Sequence, residues 1–253
     1  TKYPLIVGRS SSTNSLRQKI IHDLKLYNIN TVNETLHFDC CEEDLNRLYK
    51  ISSKNHCDAI IAAGGGKVLD AGKILAHQLS IPCITVPLSA STCAGWTALG
   101  NIYSQQGQFI KDINLSSCPD ILVFDYSFIK TAPTNTLTSG IADSLAKWYE
   151  SSITSSSNRD GLVQQAIQIS RVLRDQLFLD SEEALAASSM ENLAWRNVIE
   201  GNGLTAGLIG GIGGAKCRTA AAHAIHNAIT QIQSKKKPLH GEIVGVGILI
   251  QLK

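Results

Sequence analysis

At 253 residues, with 43% hydrophobic and 17% charged side chains, the chain is long enough to bury one large core or two smaller ones, and two domains is the expectation. A formal net charge of +2, with Lys and Arg scattered, argues against nucleic acid or a membrane surface as partner and leaves small-molecule chemistry as the default. Seven cysteines with no C-x-x-C pair argue against a disulfide framework and a thiolate zinc site, and fit a reducing cytoplasm. The apolar run 243–252 is about half of the ~20 residues a membrane-spanning helix requires, and no charged leader precedes an apolar signal region. Because the chain opens on Thr1 almost directly into a strand-like run and stops inside an apolar one, it is expected to be part of a longer protein.

The first 130 or so residues alternate short apolar strands with amphipathic segments, the pattern of a parallel sheet with crossover helices. Strands are predicted at 5–7, 35–38, 59–62, 83–86 and 121–124, and helices at 13–27 and 43–50, where the apolar residues recur at near-helical spacing. Residues 101–110 read as a hairpin turning at Gly107. Beyond Pro133 the pattern becomes purely helical, with predicted helices at 135–149, 162–177, 182–209, 218–232 and from 242 onward. Breaks are expected at the Ser-rich 151–158, at 210–214 and at 235–238. The expected architecture is therefore an α/β nucleotide-binding domain, 1–132, followed by an all-α metal and substrate domain, 133–253, with ligands held between them.

Residues 59–70 combine a buried strand, the turn Gly64-Gly65-Gly66, and the opening of a helix at Lys67. Glycines let the backbone approach a ligand, and the unpaired N–H groups of a helix start favour phosphate oxygens. The run is neither G-x-G-x-x-G nor the Walker phosphate loop, so a tight turn required by packing alone stands beside anion binding as a reading. The helical half contains Asp143, the pair His223 and His226 three residues apart on one helix face, and His240 ahead of Gly241. Two imidazoles and a carboxylate with an open position suit zinc or ferrous iron acting as a Lewis acid. Histidines in apolar helices are also common as hydrogen-bonded core residues, and spacing does not decide between the two.

Taken together, Gly64-Gly65-Gly66-Lys67 with its continuation to Lys73, the run 139–148 around Asp143, the run 220–227 around His223 and His226, and Leu239-His240-Gly241-Glu242 resemble the glycerol dehydrogenase branch of the iron-containing (group III) alcohol dehydrogenases. The four motifs occur in order and at fitting spacing over nearly the whole chain. The resemblance implies a dehydroquinate-synthase-like fold, a small alcohol, polyol or carbonyl substrate, NAD or NADP, one divalent metal (zinc or iron) and a homo-oligomer. It also implies that Gly64, Gly65, Gly66, Lys67 and Asp70 line the dinucleotide pyrophosphate with the loop from Leu88 through Ser91 to Thr92, and that Thr97, Leu99 and Tyr103 contact the cofactor. By the same resemblance Asp143, His223 and His240 are the metal ligands, and His226 is a catalytic histidine that relays the alcohol proton.

Two positions depart from the family pattern. Cys93 stands where the family carries an Asp that contacts the polyol, which puts glycerol itself in question as substrate. Arg9, after the first strand, stands near where glycerol dehydrogenases carry an Asp suited to a ribose 2′-hydroxyl, so an arginine there suggests a 2′-phosphate and NADP. A carbocycle-forming lyase of the dehydroquinate synthase type, and a non-catalytic nucleotide-binding relative, are the competing readings; net NAD(P)H production and metal content separate them. Trp96 and Trp148 read as packing residues, Cys40 and Cys41 as two free thiols, and residues 235–237 as a solvated turn.

Overall fold

The computed structural model describes residues 1–186, 192–217, 220–232 and 238–253; the expected Lys-rich turn at 235–237 lies outside them. The chain divides into two units, Thr1–Leu88 with Ala94–Ile129, and Ser89–Cys93 with Lys130–Lys253. The short segment Ser89–Cys93 thus packs with the helical residues, although sequence order places it inside the α/β part.

The first unit is built on a five-stranded parallel sheet in the order β2-β1-β3-β4-β7, formed by β1 (Pro4–Gly8), β2 (Val32–Thr35), β3 (Ala59–Gly64), β4 (Cys83–Pro87) and β7 (Ile121–Leu122). Strands β1 and β3 are buried along their whole length, as near-continuous apolar runs are when both faces of a parallel sheet are covered. Alternation along β1 sends Leu5 and Val7 to one face, against Leu45 and Leu48 of α2 (Glu42–Lys54) and Ile74 and Leu75 of α3 (Gly66–Leu79). It sends Ile6 to the other, against Leu16, Ile20 and Leu24 of α1 (Asn14–Leu26). Since β2 and β3 flank β1 on opposite sides, the strand order reverses between β1 and β3, and open α/β sheets bind ligands at the carboxyl ends of the strands at such a point. Those ends are Gly8 and Gly64.

The remaining elements depart from expectation in instructive ways. The hairpin is present and longer than expected, as β5 (Leu99–Tyr103) and β6 (Phe109–Asn114), with Gly107 at φ 85° in its turn. The second strand lies at 32–35 instead of 35–38, because the Asp44 carboxylate accepts the N–H groups of both His37 and Phe38 at 2.8 Å and turns the backbone out of the sheet. A short helix α4 (Tyr126–Lys130), not foreseen, starts where Asp125 accepts from the Ser127 and Phe128 amides.

The second unit comprises α5 (Thr134–Thr154), α6 (Gly161–Ala186), α7 (Leu193–Glu200), α8 (Ala206–Gly213), α9 (Ala221–Thr230) and α10 (His240–Gln251). Helix α6 runs through the expected interruption after Leu177, and the expected single helix 182–209 resolves, among the described residues, into the end of α6, α7, a π-helical turn at Gly201–Thr205 and α8. Helix α8 persists to Gly213 and stops at Gly214, whose φ of 59° no longer continues it, so the break falls at the last residue of the expected 210–214 run. The centre of the unit joins α5, α9 and α10 through Ala146, Ala222, Val244 and Ile248. No helix among the described residues is long and apolar enough to cross a membrane.

Candidate metal centre and cofactor loop

Helix α5 carries Asp143, Lys147 and Glu150, which at spacings of four and three residues share one buried face. Helix α9 presents His223 and His226, both buried. His240 is the first residue of α10, where Glu242 reaches back to accept the Leu239 N–H at 2.7 Å and fixes the opening turn. The Gly241 N–H donates to Ser139 Oγ at 3.0 Å, and a Cβ at Gly241 would lie 1.8 Å from the Ser139 carbonyl oxygen, so only glycine lets α10 begin against α5. That approach sets His240 beside Asp143, one turn further along α5.

The structure brings Asp143, His223 and His240 together: one ligand atom from each falls within 4.8 Å of the others. The Nε2 atoms of His223 and His240 each lie 3.3 Å from Asp143 Oδ1. Two ligands on a tetrahedral ion at ~2.0–2.2 Å are separated by about 3.4 Å, so the spacing is that of donors around a common centre. Asp143 Oδ1 is buried and makes no hydrogen bond, an arrangement that costs free energy unless another group completes it. Burial favours the neutral acid at Asp143, but the Lys147 charge and the two imidazoles outweigh it and hold the carboxyl well below the usual carboxylate range. The residues present therefore fit a divalent ion with two nitrogen donors, one oxygen donor and an open position.

Around these donors stands a second set of contacts. Glu150 Oε2 lies 2.5 Å from His223 Nδ1, while Oε1 accepts from the backbone N–H groups of Ala220 at 2.7 Å and His223 at 2.9 Å. Burial raises the Glu150 carboxyl, and its bonds to His223 and Ala220 more than reverse that, leaving it lowered. Burial lowers the His223 imidazole, yet Asp143 and Glu150 outweigh it and raise the group overall. His240 Nδ1 meets His226 Nε2 at 2.9 Å, and His226 Nδ1 meets Asn227 Oδ1 at 2.9 Å. Burial and the neighbouring His240 bring His226 down to about 4, so it is neutral near pH 7. His226, the expected proton relay, thus has both ring nitrogens engaged, one by His240 and one by Asn227.

At the sheet's carboxyl edge, Gly65 caps α3 without a side-chain bond, and its carbonyl accepts the Val68 and Leu69 amides at 2.9 and 3.1 Å. A Cβ at Gly64 would sit 2.8 Å from Val68, so packing requires a glycine there. Lys67 and Arg9 both pair with Asp39, a buried carboxylate that sequence reading missed, and Lys67 Nζ lies 4.7 Å over the Tyr103 ring. Asp70, expected at the pyrophosphate, has its Oδ1 3.0 Å from Lys73 Nζ and accepts the Asn101 N–H at its Oδ2 at 3.2 Å, so it anchors the hairpin from inside. Lys73 also donates to the carbonyls of Thr97 and Leu99, whose backbones serve the same anchor. Leu88 is a core residue of the sheet, its N–H donating to Gly64 at 3.1 Å. Ser91 bonds Ser89 at 3.0 Å within the segment that packs with the helical unit, and Cys93 of that segment is half-buried. All seven cysteines are free thiols.

The family model described as iron-containing alcohol dehydrogenase matches residues 1–126. An uncharacterised oxidoreductase of Synechocystis sp. is 49% identical over 215 residues, 85% of this chain and 55% of the relative. A glycerol dehydrogenase of Escherichia coli O6:H1 is 34% identical over 221 residues, 85% of this chain and 59% of its own length. The crystal structure of glycerol dehydrogenase from Schizosaccharomyces pombe superposes with a TM-score of 0.85 at 30% identity, covering 99% of this chain and 64% of that one. The chain thus spans 55% to 59% of the length of these two sequence relatives.

Proposed function

Because the chain belongs to the iron-containing alcohol dehydrogenase family, we propose that it forms the greater part of a metal-dependent, nicotinamide-linked oxidoreductase interconverting an alcohol or polyol and the corresponding ketone or aldehyde. The observation that carries this reading is the convergence of Asp143 Oδ1 with the Nε2 atoms of His223 and His240. Bound there, a zinc or ferrous ion would polarise a substrate hydroxyl as a Lewis acid, and a nicotinamide would take the hydride from the carbinol carbon.

The chain's own residues divide the remaining work. Asp143 supplies the single negative charge of the donor set, and the two imidazoles donate as neutral rings, which leaves a net positive centre suited to a developing alkoxide. His226 accepts the His240 Nδ1 proton at its Nε2 and so leaves His240 Nε2 free to donate. The uncapped start of α3 and Lys67 favour the cofactor's phosphates. Asp39 supports NAD in preference to NADP, because it already engages Arg9, the candidate for a 2′-phosphate, and a carboxylate there repels that phosphate. Cys93 offers no carboxylate to a polyol, which favours alcohols carrying fewer hydroxyls than glycerol.

The test is a spectrophotometric screen of diols, polyols, aldehydes and ketones with each nicotinamide cofactor, before and after zinc or iron addition. Metal-dependent NADH formation from at least one alcohol is expected. Absence of any net cofactor oxidation or reduction in metal-loaded protein would overturn the reading.

A further inference from the structure

We propose that Glu150 is the positioning residue of the metal centre: it fixes the Nδ1-protonated tautomer of His223 and so makes Nε2 the donor that faces Asp143. This rests on the metal reading above.

The carboxylate is almost wholly enclosed, its side chain 1% exposed, and both of its oxygens are engaged. A carboxylate only accepts hydrogen bonds, and a neutral imidazole carries one N–H. With Oε2 at 2.5 Å from Nδ1, the ring proton belongs on Nδ1, and the lone pair of Nε2 is left pointing to the side where Asp143 Oδ1 lies 3.3 Å away. Oε1 meanwhile accepts the N–H of His223 itself and that of Ala220, the first-turn donors that a helix start otherwise leaves unpaired. One side chain therefore holds the backbone and the ring of the same ligand, which fixes where α9 begins and how its histidine is turned. Glu150 lies seven residues, two helical turns, beyond Asp143 on the same face of α5. A single helix thus supplies one donor directly and sets the second through an intermediary. His240 has no such carboxylate; its Nδ1 meets the neutral ring of His226.

The discriminating variant is Glu150→Gln. Its amide oxygen remains toward the two backbone N–H groups, since the opposite orientation would set NH2 against two donors. The NH2 group then faces His223 Nδ1 and donates to it, which moves the ring proton to Nε2 and blocks that donor. Zinc affinity, measured by competition with a chromogenic chelator, is expected to fall about 10- to 100-fold, with helical content by circular dichroism retained. In metal-free wild-type protein, at a pH where the His223 ring is neutral, nitrogen-15 NMR is expected to show the proton on Nδ1 before any ion dictates it, a readout that a merely structural role would not move. Zinc affinity of Glu150→Gln within about twofold of wild type would overturn the proposal, as would a proton on Nε2 of the neutral His223 ring in the metal-free wild-type protein. If the variant does not fold, the wild-type NMR result decides. A wild-type protein that binds no zinc or iron would overturn the metal reading and this inference together, whereas metal retention with an unaffected Glu150→Gln overturns this inference alone.

Discussion

The two polar sites of the molecule are built on opposite principles. At the sheet edge, Arg9 and Lys67 keep side chains 42% and 37% exposed and share one buried carboxylate, Asp39, so two cations there lean on a single anion. In the helical unit, Asp143 and His223 are 5% and 11% exposed, and the Asp143 oxygen that faces the imidazoles has no hydrogen bond. A surface site can leave its charges to water and each other, and a ligand needs only to displace weak partners. A buried site whose donors face one another without bonding requires a further group at their centre.

The largest effect that distinguishes the two sites is expected from His240→Ala. Removing one of three donors should abolish zinc retention and lower turnover by on the order of 10³-fold, while nicotinamide binding, followed by fluorescence, persists. Loss of nicotinamide binding in step with zinc would merge the sites. Next comes stability: Leu75→Ala, at a fully buried position of the sheet unit, should cost about 2 to 5 kcal/mol and lower the thermal midpoint without altering zinc stoichiometry. Zinc lost in proportion would show that the metal centre depends on the sheet's packing.

How far these sites could be seen in the sequence follows from how local each is. The glycine turn is contiguous, and β1, β3 and β4 are apolar runs, so their places in the fold were legible without coordinates. Strand β2 was not, because Asn33 and Glu34 are polar and the apolar Leu36 and Phe38 follow where Asp44 has already drawn the backbone away. Asp70 is next to the glycine loop in sequence, yet its place on α3 turns it inward to Lys73 and the hairpin. His223, His226 and His240 stood out as candidates, but spacing alone could not bring an aspartate 80 residues earlier beside them; the resemblance pointed to Asp143 and the fold shows the approach. Glu150 carried a readable signal, its position on the Asp143 face of an amphipathic helix, that residue type alone did not raise. Asp39 had none, since it sits in an irregular segment between β2 and α2.

Smaller changes sharpen the contrast further. Asp39→Asn should free Arg9 and Lys67 from their shared carboxylate and raise affinity for NADP relative to NAD by roughly tenfold, with zinc content unchanged. An unaltered ratio in paired binding titrations would remove Asp39 from cofactor choice.

The smallest effect concerns pH in metal-free protein. His226 is lowered from 6.5 to about 4 in the fold, so between those values the unfolded chain binds more protons than the folded one. The stability this histidine contributes is present above about pH 6.5 and is lost as pH falls toward 4. His226→Gln, neutral throughout, should flatten that acid limb in urea midpoints taken across the window; an unchanged slope would mean that His226 titrates in the fold as it does unfolded.

X-ray absorption of the zinc-loaded protein addresses the donor set itself. Two imidazole nitrogens and one carboxylate oxygen at ~2.0–2.2 Å are expected around the ion. Sulfur scattering at ~2.3 Å, from any of the seven free thiols, would contradict Asp143, His223 and His240 as its ligands.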